Sequence, residues 1–471
     1  MTAPTDQNLA DLSVDVLVIG GGNAALCAAI EARRQGASVL VVEAASKVYR
    51  GGNTRHTRNL RCAHDAGNEI LTGPYPEDEF WDDLMRVTGG ETDPELARLT
   101  IAQSKELWDW MTGAGVRFQQ PLGGTLNLGR TNAFFLGGGR AMLNALYDSA
   151  EKMGVAFRYD TAATALDIED GFFKTARIQG PDGPQVVRAR ALVTAAGGFE
   201  ANIEWLTEYW GERARNFLIR GTPNNRGTIL RMLLDAGVEP VGDPTQCHAV
   251  AIDARSPQFD GGIVTRLDCI IFGVVINNRC ERFYDEGEDF WPKRYAIWGR
   301  LVADQPDQIA WIVFDEKAVG RFMPSVYPAI SAPSLAELAE KLGLDPSAFA
   351  AEIGRFNAAV VDGDFNTEIH DDCRTEGISP PKSHWARRID SAPFHAYPVR
   401  PGITFTYLGT RVNHEARVLM QGGRPSANIY AAGEIMAGNV LGRGYLAGIG
   451  MTIGAVFGRL AGKGAARHVG N

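Results

Sequence analysis

The first part of the chain has the pattern of a strand, a turn, a helix and a second strand. Val14–Ile19 is a strand-length run of mostly apolar residues, typical of a strand buried on both faces of a parallel sheet. Asn23–Gln35 predicts a helix, and Ser38–Val42 is a second apolar run that is followed by Glu43. Together they predict a β–α–β unit with two parallel strands.

The turn before this helix carries a dinucleotide-binding fingerprint, Gly20-x-Gly22-x-x-Ala25. Gly20 permits the tight turn, Gly22 lets the backbone approach a pyrophosphate, and Ala25 lets the helix lie close to the strand. The N-terminus of the helix offers unpaired N–H groups to a phosphate. Glu43 stands about twenty residues further on, where an acidic residue suits ribose hydroxyls.

Two later segments select FAD as the dinucleotide. "RALVTAAGGFEAN" (190–202) predicts a strand that ends in two glycines, and "SANIYAAGEIMAG" (426–438) predicts one that ends at Gly433 and Glu434. Both resemble flavoprotein signatures, and the resemblance places the Glu434 carboxylate against the ribityl chain of the flavin. A second strand–fingerprint–helix–acid unit, which NAD(P) would need, is absent from the sequence.

The residues predicted to bind FAD lie in these segments, in the "GGNT" loop and at the start of the last helix. That helix begins near Gly448, and an N-terminus aimed at the pyrimidine side of the flavin would favour the anionic reduced ring. The predicted set is Gly20, Gly22, Asn23, Ala24, Ala25, Glu43, Ala44, Gly51, Gly52, Asn53, Thr54, Ala163, Ala196, Gly197, Gly198, Gly433, Glu434, Gly448 and Gly450.

The middle of the chain differs in composition from both ends. Between about Glu239 and Arg400, aromatic residues and prolines become frequent. Ser334 and Glu337 form a capping box, and Asp345 begins a second helix, so a helix pair is predicted here. The chain is therefore expected to be an α/β protein, with a discontinuous Rossmann-like FAD-binding domain (1–238 and 401–471) and an inserted α+β capping domain (239–400).

Composition narrows the choice of partners. The 47 basic and 56 acidic residues give a net charge of −9, which argues against binding to nucleic acid. The six cysteines show no CxxC or ferredoxin-like spacing, so no metal site or iron–sulfur cluster is predicted. The N-terminal sequence lacks the pattern of a signal peptide, and a cytoplasmic location is expected.

The order of several motifs resembles that of the fumarate reductase/succinate dehydrogenase flavoprotein superfamily. These motifs are the fingerprint, "GGNT", "AAGGF", "RF-x-x-E" (282–286) and "YAAGE". Within the superfamily, "GGNTRHTRNLRCAH", "RTNAFFLGGG", "QCHAVAIDAR", "PGITFTYLGTRV" and "GYLAGIGMTIG" are similar to the tricarballylate dehydrogenase family. The resemblance implies oxidation of a propane tricarboxylate to cis-aconitate with FAD. Electrons would leave through a separate iron–sulfur or haem protein, itself membrane-associated.

The resemblance also assigns roles to two residues near the flavin. His248, in "QCHAV", corresponds to a histidine that holds a substrate carboxylate in the superfamily. Asn53 stands where the superfamily members with covalent flavin have histidine, so non-covalent FAD is expected.

Three departures from the fumarate reductase pattern concern charged residues of the substrate site. Phe290 stands at the position of the proton-donating arginine, and Arg294 is a nearby substitute. The second carboxylate-binding histidine falls at Thr404 or Phe405. A substrate-binding arginine falls near Tyr445, with Arg443 two residues before it, and a tyrosine in this context resembles the 3-ketosteroid dehydrogenases, where it polarises a carbonyl.

Basic residues cluster after "GGNT", and in this superfamily that loop lies beside the flavin ring. Arg55, His56 and Arg58 are expected to bind substrate carboxylates, because arginine offers bidentate geometry to a carboxylate. About half of the cluster is expected to contact FAD or solvent instead. Arg61 of the same cluster is also expected to reach the substrate side, whereas Arg130 and either Arg387 or Arg388 are weaker candidates.

The expected chemistry removes a proton next to a carboxylate and transfers a hydride from the adjacent carbon to the flavin. The base is left open among His56, Tyr445 and Arg294. Alternative functions are a fumarate reductase-like enzyme, a 3-ketosteroid dehydrogenase-like enzyme, and a flavin electron carrier or redox sensor without a substrate.

Overall fold

The computed structural model describes residues 10–120 and 128–470. Its strands are β1 (Ala10–Ile19), β2 (Val39–Val42), β3 (Asn59–Arg61), β4 (Phe118–Gln119), β5 (Asn132–Phe135), β6 (Ala156–Arg158), β7 (Ala162–Glu169), β8 (Phe172–Gly180), β9 (Gly183–Thr194), β10 (Leu218–Ile219), β11 (Pro240–Val241), β12 (Cys247–Asp253), β13 (Val274–Asn277), β14 (Ala310–Asp315), β15 (Ile330–Ala332), β16 (Val360–Val361), β17 (Arg374–Thr375), β18 (Phe394–Thr406), β19 (Gly409–Thr410), β20 (Arg417–Leu419) and β21 (Pro425–Ala431).

Helices connect these strands and cover the sheets. They are α1 (Asn23–Arg34), α2 (Glu77–Thr88), α3 (Pro94–Ser104), α4 (Leu107–Gly113), α5 (Gly138–Lys152), α6 (Ile203–Trp210), α7 (Thr228–Asp235), α8 (Trp291–Arg294), α9 (Trp298–Ala303), α10 (Leu335–Leu342), α11 (Pro346–Ala359) and α12 (Ile449–Gly470). In the described ranges, no helix combines the length and the apolar character that a membrane crossing needs.

The first sheet is the dinucleotide-binding layer. Its parallel strands run in the order β21–β9–β1–β2–β6, and β20, β8 and β7 extend it in antiparallel pairing. The buried strand β1 lies between β2 and β9, which confirms the predicted β–α–β unit. The carboxyl ends of parallel strands meet at one edge, where α/β folds bind their ligands.

Helix α1 is almost entirely buried because α12 packs along it. Gly454, Gly458 and Gly462 of α12 face α1, and a Cβ at Gly458 or Gly462 would lie 2.4 Å or less from an α1 carbonyl oxygen. The two segments are more than 400 residues apart in the chain, so the FAD-binding layer is closed by its last helix.

The second sheet is built around the long strand β18. This strand pairs with β12, β14 and β15 in antiparallel fashion and with β10 in parallel, and β13 lies beyond β14. Its strands span 218–406, so the sheet begins and ends slightly outside the predicted capping domain of 239–400. The rest of that domain contains the predicted helix pair α10–α11, with Ser334 and Asp345 capping the two helices as expected.

Candidate functional site

A long cavity lies where the carboxyl ends of the parallel strands meet the second sheet. At one end it is lined by the residues that follow β1, β2, β9 and β21. At the other end it is lined by residues of β12, β18, α8 and the loop after "GGNT". The cavity therefore joins the predicted dinucleotide site to the predicted substrate residues.

The dinucleotide end fits FAD. Gly22 precedes α1 and lines the cavity with Asn23 and Ala24, so the N-terminus of that helix lies at the cavity wall, where Thr54 Oγ1 accepts the N–H of Asn23 at 3.2 Å. A Cβ at Gly22 would lie 3.2 Å from Thr54 Oγ1 and 3.5 Å from the carbonyl oxygen of Gly51, so even a small side chain would crowd this part of the cavity wall. Gly20 has φ +114°, and a Cβ there would lie 2.2 Å from the carbonyl oxygen of Ala195. The turn between strand and helix therefore requires glycine.

Glu43 lies in the same wall. Its carboxylate accepts backbone N–H groups from Ala45 (2.8 Å) and Gly51 (3.3 Å). Burial raises the pKa of Glu43, and these backbone hydrogen bonds oppose the rise. The carboxylate is thereby fixed as an acceptor at the predicted ribose position.

Two buried carboxyl groups, those of Glu200 and Glu434, lie close together beside Gly198, and Glu434 lines the cavity. Glu200 Oε1 accepts the side-chain amides of Asn53 (2.6 Å) and Asn225 (2.7 Å), and Glu434 Oε1 accepts the backbone N–H of Thr406 (2.8 Å). Burial raises the pKa of both acids, and the charge of Glu200 adds to the rise at Glu434.

At the substrate end, His248 and Tyr445 form one wall. Their rings stack with centroids 3.8 Å apart and planes 5° apart, and Tyr295 meets His248 edge-on. Burial lowers the pKa of His248 well below its usual value, with a further contribution from Arg220. The imidazole is therefore neutral, and its Nδ1 has no hydrogen-bond partner.

His56 lies opposite this wall, in a 3₁₀ turn at Gly52–His56. Its Nε2 is 2.5 Å from Asp260 Oδ1. Burial lowers the pKa of His56 and outweighs the opposite influence of Asp260. A neutral His56 that donates from Nε2 to Asp260 keeps Nδ1 as its basic nitrogen.

Two arginines at this end share one carboxylate. Arg266 pairs with Asp268 at 2.8 Å, and Arg58 lies 3.9 Å from the same residue. Asp268 also accepts the indole N–H of Trp291 at 2.7 Å. The two arginines and one carboxylate leave an excess of positive charge beside the cavity.

The match to known families decides the identity of the fold. Residues 15–451 match the family described as FAD binding domain. The chain belongs to this FAD-binding family, within the fumarate reductase/succinate dehydrogenase flavoprotein superfamily. FAD is accordingly the cofactor for which the glycine-lined end of the cavity is built.

Relatives of this FAD-binding chain include the NADH:fumarate oxidoreductase of Klebsiella pneumoniae (strain 342). It is 27% identical over 477 residues, which cover 98% of this chain and 48% of that protein. The chain therefore spans about half the length of this relative.

Two solved structures share the fold. A flavocytochrome c3 fumarate reductase in its open conformation has a TM-score of 0.77 and 21% identity, over 98% of this chain and 79% of that one. The 3-ketosteroid-Δ4-(5α)-dehydrogenase of Rhodococcus jostii RHA1 has a TM-score of 0.73 and 23% identity, over 98% of each chain. Both likenesses support the expected architecture, a Rossmann-like FAD-binding domain with a capping domain.

Most residues predicted to bind FAD line the cavity of this flavoprotein. The exceptions are Ala25 and Gly198, which contribute close packing. A Cβ at Gly198 would lie within 3 Å of Thr406, Glu434 and Glu200. Of the predicted substrate residues, the cavity brings together His56, Arg58, His248, Thr404 and Tyr445.

Three predicted site residues lie elsewhere. Arg55 stacks on Tyr49, with its guanidinium 5.1 Å from the ring centroid. Arg294 pairs with Glu288, and Arg443 donates to the carbonyl of Thr88. None of these three arginines lines the cavity, because each has a nearer partner.

Arg61 of the loop and the weaker candidates have structural partners as well. Arg61 is buried and donates to Ala447 and Tyr75, whereas Arg130 pairs with Glu79, Arg388 pairs with Asp362 and Arg387 lies over Phe365.

Sequence reasoning missed Arg220, Arg266 and Tyr295, which line the substrate end of the cavity. Arg220 is only 5% exposed, and its Nε donates to Thr404 Oγ1 at 2.8 Å. The available signal was an arginine directly after two apolar residues, in "LIRGT". A charged group in such a segment is buried when it has a specific task.

Proposed function

We propose that this chain is an FAD-dependent dehydrogenase that oxidises a CH–CH bond of a small polycarboxylate, with tricarballylate as the substrate and cis-aconitate as the product. One observation supports it above the others: the cavity that begins at the FAD fingerprint ends among basic side chains, in a protein of net charge −9. Substrate carboxylates would balance that local excess of positive charge.

The residues at this end have the properties that such a reaction needs. A proton next to a carboxylate becomes acidic when the developing enolate-like charge is stabilised, and Arg58 and Arg266 supply positive charge for that purpose. His56 is the base in this proposal, because Asp260 orients it and it is neutral at pH 7. FAD, when bound, supplies the acceptor for the hydride.

The position of the reductase arginine supports oxidation over fumarate reduction. Phe290 stacks on His370 with ring centroids 4.2 Å apart, and Arg294 is held by Glu288 at 2.6 Å. In the segment around α8, the residues that line the cavity are Trp291, Pro292 and Tyr295. The arginine that donates a proton in fumarate reductases therefore has no counterpart in this segment.

A second candidate, dehydrogenation next to the carbonyl of a cyclic ketone, is favoured by Tyr445. Its hydroxyl oxygen accepts the backbone N–H of Gly450 at 3.2 Å, and burial raises its pKa, so the phenol stays protonated. A protonated phenol in an aromatic wall can donate to a ketone oxygen. The arginines of the same cavity oppose this candidate, because an apolar ketone would leave them without an anion.

The electrons need an outlet, for which we propose a separate iron–sulfur or haem protein, itself membrane-associated, with this chain in the cytoplasm. The sequence has one dinucleotide fingerprint and no cluster-binding cysteine pattern. The purified chain should reduce artificial dyes and give little turnover with NAD⁺ or NADP⁺. Rapid, saturable NAD(P)⁺ reduction by the chain alone would contradict this part of the proposal.

The decisive experiment is anaerobic mixing of the holoenzyme with a panel of carboxylates and ketones. Tricarballylate should bleach the flavin absorbance, whereas steroids and simple alcohols should not. The variant Arg58→Ala should lose about 100-fold in kcat/KM for tricarballylate, the usual scale for a lost charged contact in a buried site. Arg55→Ala should change it less than about threefold, since Arg55 lies against Tyr49 outside the cavity. Bleaching by ketones alone would favour the second candidate.

A further inference from the structure

Two charged positions of the superfamily's substrate site are uncharged in this chain. Thr404 or Phe405 replaces a carboxylate-binding histidine, and Tyr445 stands near the position of an arginine. A hydroxyl group and a phenol cannot balance the charge of a carboxylate in a buried cavity. A polycarboxylate site here needs a cation from another segment.

Arg220 reaches this position from a different strand. It directly follows β10, which pairs in parallel with Gly402 and Ile403 of β18. The backbone N–H of Arg220 donates to the carbonyl of Ile403 at 2.8 Å, and Nε donates to Thr404 Oγ1 at 2.8 Å. The ends of the two strands thus deliver Arg220 and Thr404 to the cavity side by side.

The guanidinium of Arg220 lacks an anionic partner. Its Nη1 is buried and has no hydrogen-bond partner, and no carboxylate of residues 10–120 or 128–470 pairs with it. The acidic residue that influences it, Asp268, is already bound by Arg266 and Trp291. A buried unpaired cation is unfavourable, and an anion in the adjoining cavity would relieve it.

A second unsatisfied atom lies in the same region. His248 Nδ1 is also buried without a partner, and the charge of Arg220 lowers the pKa of both His248 and His56. Arg220 is therefore close to both histidines of the substrate end, with a free donor nitrogen beside a neutral imidazole.

We propose that Arg220 is the inner carboxylate anchor of the substrate site and takes over the task of the charges missing at positions 404 and 445. Arg58 and Arg266, which share Asp268, then supply a second anion position of the same cavity. This inference rests on the proposed function for the class of substrate. It adds a reason for the selectivity of the site, because two anion positions select for substrates with at least two carboxylates.

Binding can be tested without turnover. Citrate is a tricarboxylate whose central carbon carries no hydrogen, so it cannot give up a hydride there and serves as a dead-end probe. The oxidised holoenzyme is titrated with citrate while the visible flavin spectrum is followed. Arg220→Met should raise the Kd by about 100-fold, and Arg220→Lys, which keeps the charge and loses the planar fork, by about tenfold.

Arg400→Met is the matched control. Arg400 lies on β18 and donates to the carbonyls of Asp307 and Gln308, outside the cavity, so the citrate Kd should change less than about threefold. Without citrate, Arg220→Met should unfold at a temperature no lower than the wild type, because the substitution removes an unpaired buried charge. Citrate should raise the unfolding temperature of the wild type more than that of the variant.

The citrate and tricarballylate measurements distinguish failure of the Arg220 anchor from failure of the proposed function. A citrate Kd unchanged in folded Arg220→Met overturns the anchor and leaves the polycarboxylate proposal standing. Failure of both citrate and tricarballylate to bind the wild-type holoenzyme overturns the proposed function and the anchor together.

Discussion

The two ends of the cavity are built in different ways. The FAD end is made of backbone: glycines after β1 and β9, the N-terminus of α1, and carboxyl groups held by backbone N–H donors. The substrate end is made of side chains from segments far apart in sequence, such as His56, Arg220 and Tyr445. Backbone recognition is encoded in short contiguous motifs, whereas the side-chain site depends on which distant segments meet.

The sharpest test of the FAD end is Gly22→Val. A side chain at this position occupies the path of the pyrophosphate, so the purified variant should contain almost no FAD and have no activity. In the ligand-free protein the nearest atom to a Cβ there is Thr54 Oγ1 at 3.2 Å, a tight contact that a shift of a few tenths of an ångström relieves, so the apoprotein should still fold. FAD content and far-UV circular dichroism measure the two effects separately.

Gly354→Val provides the matched control. Gly354 lies in α11, far from the cavity, and a Cβ there would meet nothing within 4 Å. This variant should retain a full complement of FAD and be at least as stable as the wild type, because valine has a higher helix propensity than glycine and meets no neighbour here. An apoprotein of Gly22→Val that binds FAD normally would show that the fingerprint does not hold the pyrophosphate.

The same contrast explains what could be predicted from the sequence. The β–α–β unit, the helix pair with its caps and the residues around Gly433 follow from local patterns, and the structure has them where expected. Arg220 could not be found in this way, because its place in the site depends on pairing between β10 and β18, about 180 residues apart. Sequence alone does not reveal that contact.

Charge pairing accounts for the predicted residues that the structure places elsewhere. Arg294 and Arg443 stand close in sequence to the site, but Glu288 and Glu91 lie within ion-pair distance of them. An arginine with a carboxylate of its own has little need of a ligand, whereas Arg58 and Arg266 share the single carboxylate of Asp268 and Arg220 has none among the described residues. Whether an arginine already has its own carboxylate partner therefore distinguishes the arginines of the site from those outside it.

Asp260→Asn tests the substrate end at its proposed base. Asp260 has φ +60°, a conformation that asparagine also tolerates, so the fold should be preserved. Losing the carboxylate that orients His56 should lower kcat by roughly 10- to 100-fold. Because Asp260 raises the pKa of His56, its removal should lower that pKa further.

The dependence of kcat on pH shows in which direction the pKa of His56 shifts. In the wild type, kcat should rise with pH as His56 loses its proton, with a midpoint below the usual histidine value of about 6.5, and then level off. In Asp260→Asn the rising limb should move to lower pH. A limb that moves to higher pH, or none that responds to the substitution, would exclude His56 as the base.

The smallest expected effect concerns the buried acid pair of Glu200 and Glu434. Glu200 Oε1 accepts two amide groups, but no N–H or hydroxyl donor of the described residues reaches its Oε2. A Cβ at Gly198 would lie 2.8 Å from this oxygen and 2.2 Å from Glu434 Oε1, so the two carboxyl groups face each other. Since the pKa of Glu434 is raised well above normal, Glu434 is the partner that keeps its proton and donates it to Glu200.

Glu434→Gln should therefore be nearly silent, although Glu434 stands at the position that resembles the ribityl-binding carboxylate of flavoproteins. Glutamine has the size of a protonated glutamic acid and can accept from Thr406 while it donates to Glu200, so the Kd of the apoprotein for FAD should change less than about threefold. Glu434→Ala removes both contacts, leaves Glu200 Oε2 unpaired, and should weaken binding by about tenfold or more. Quenching of flavin fluorescence on titration of the apoprotein measures both constants. Equal and large losses in the two variants would mean that FAD requires an ionised carboxylate at position 434, and the assignment of the proton to Glu434 would then be wrong.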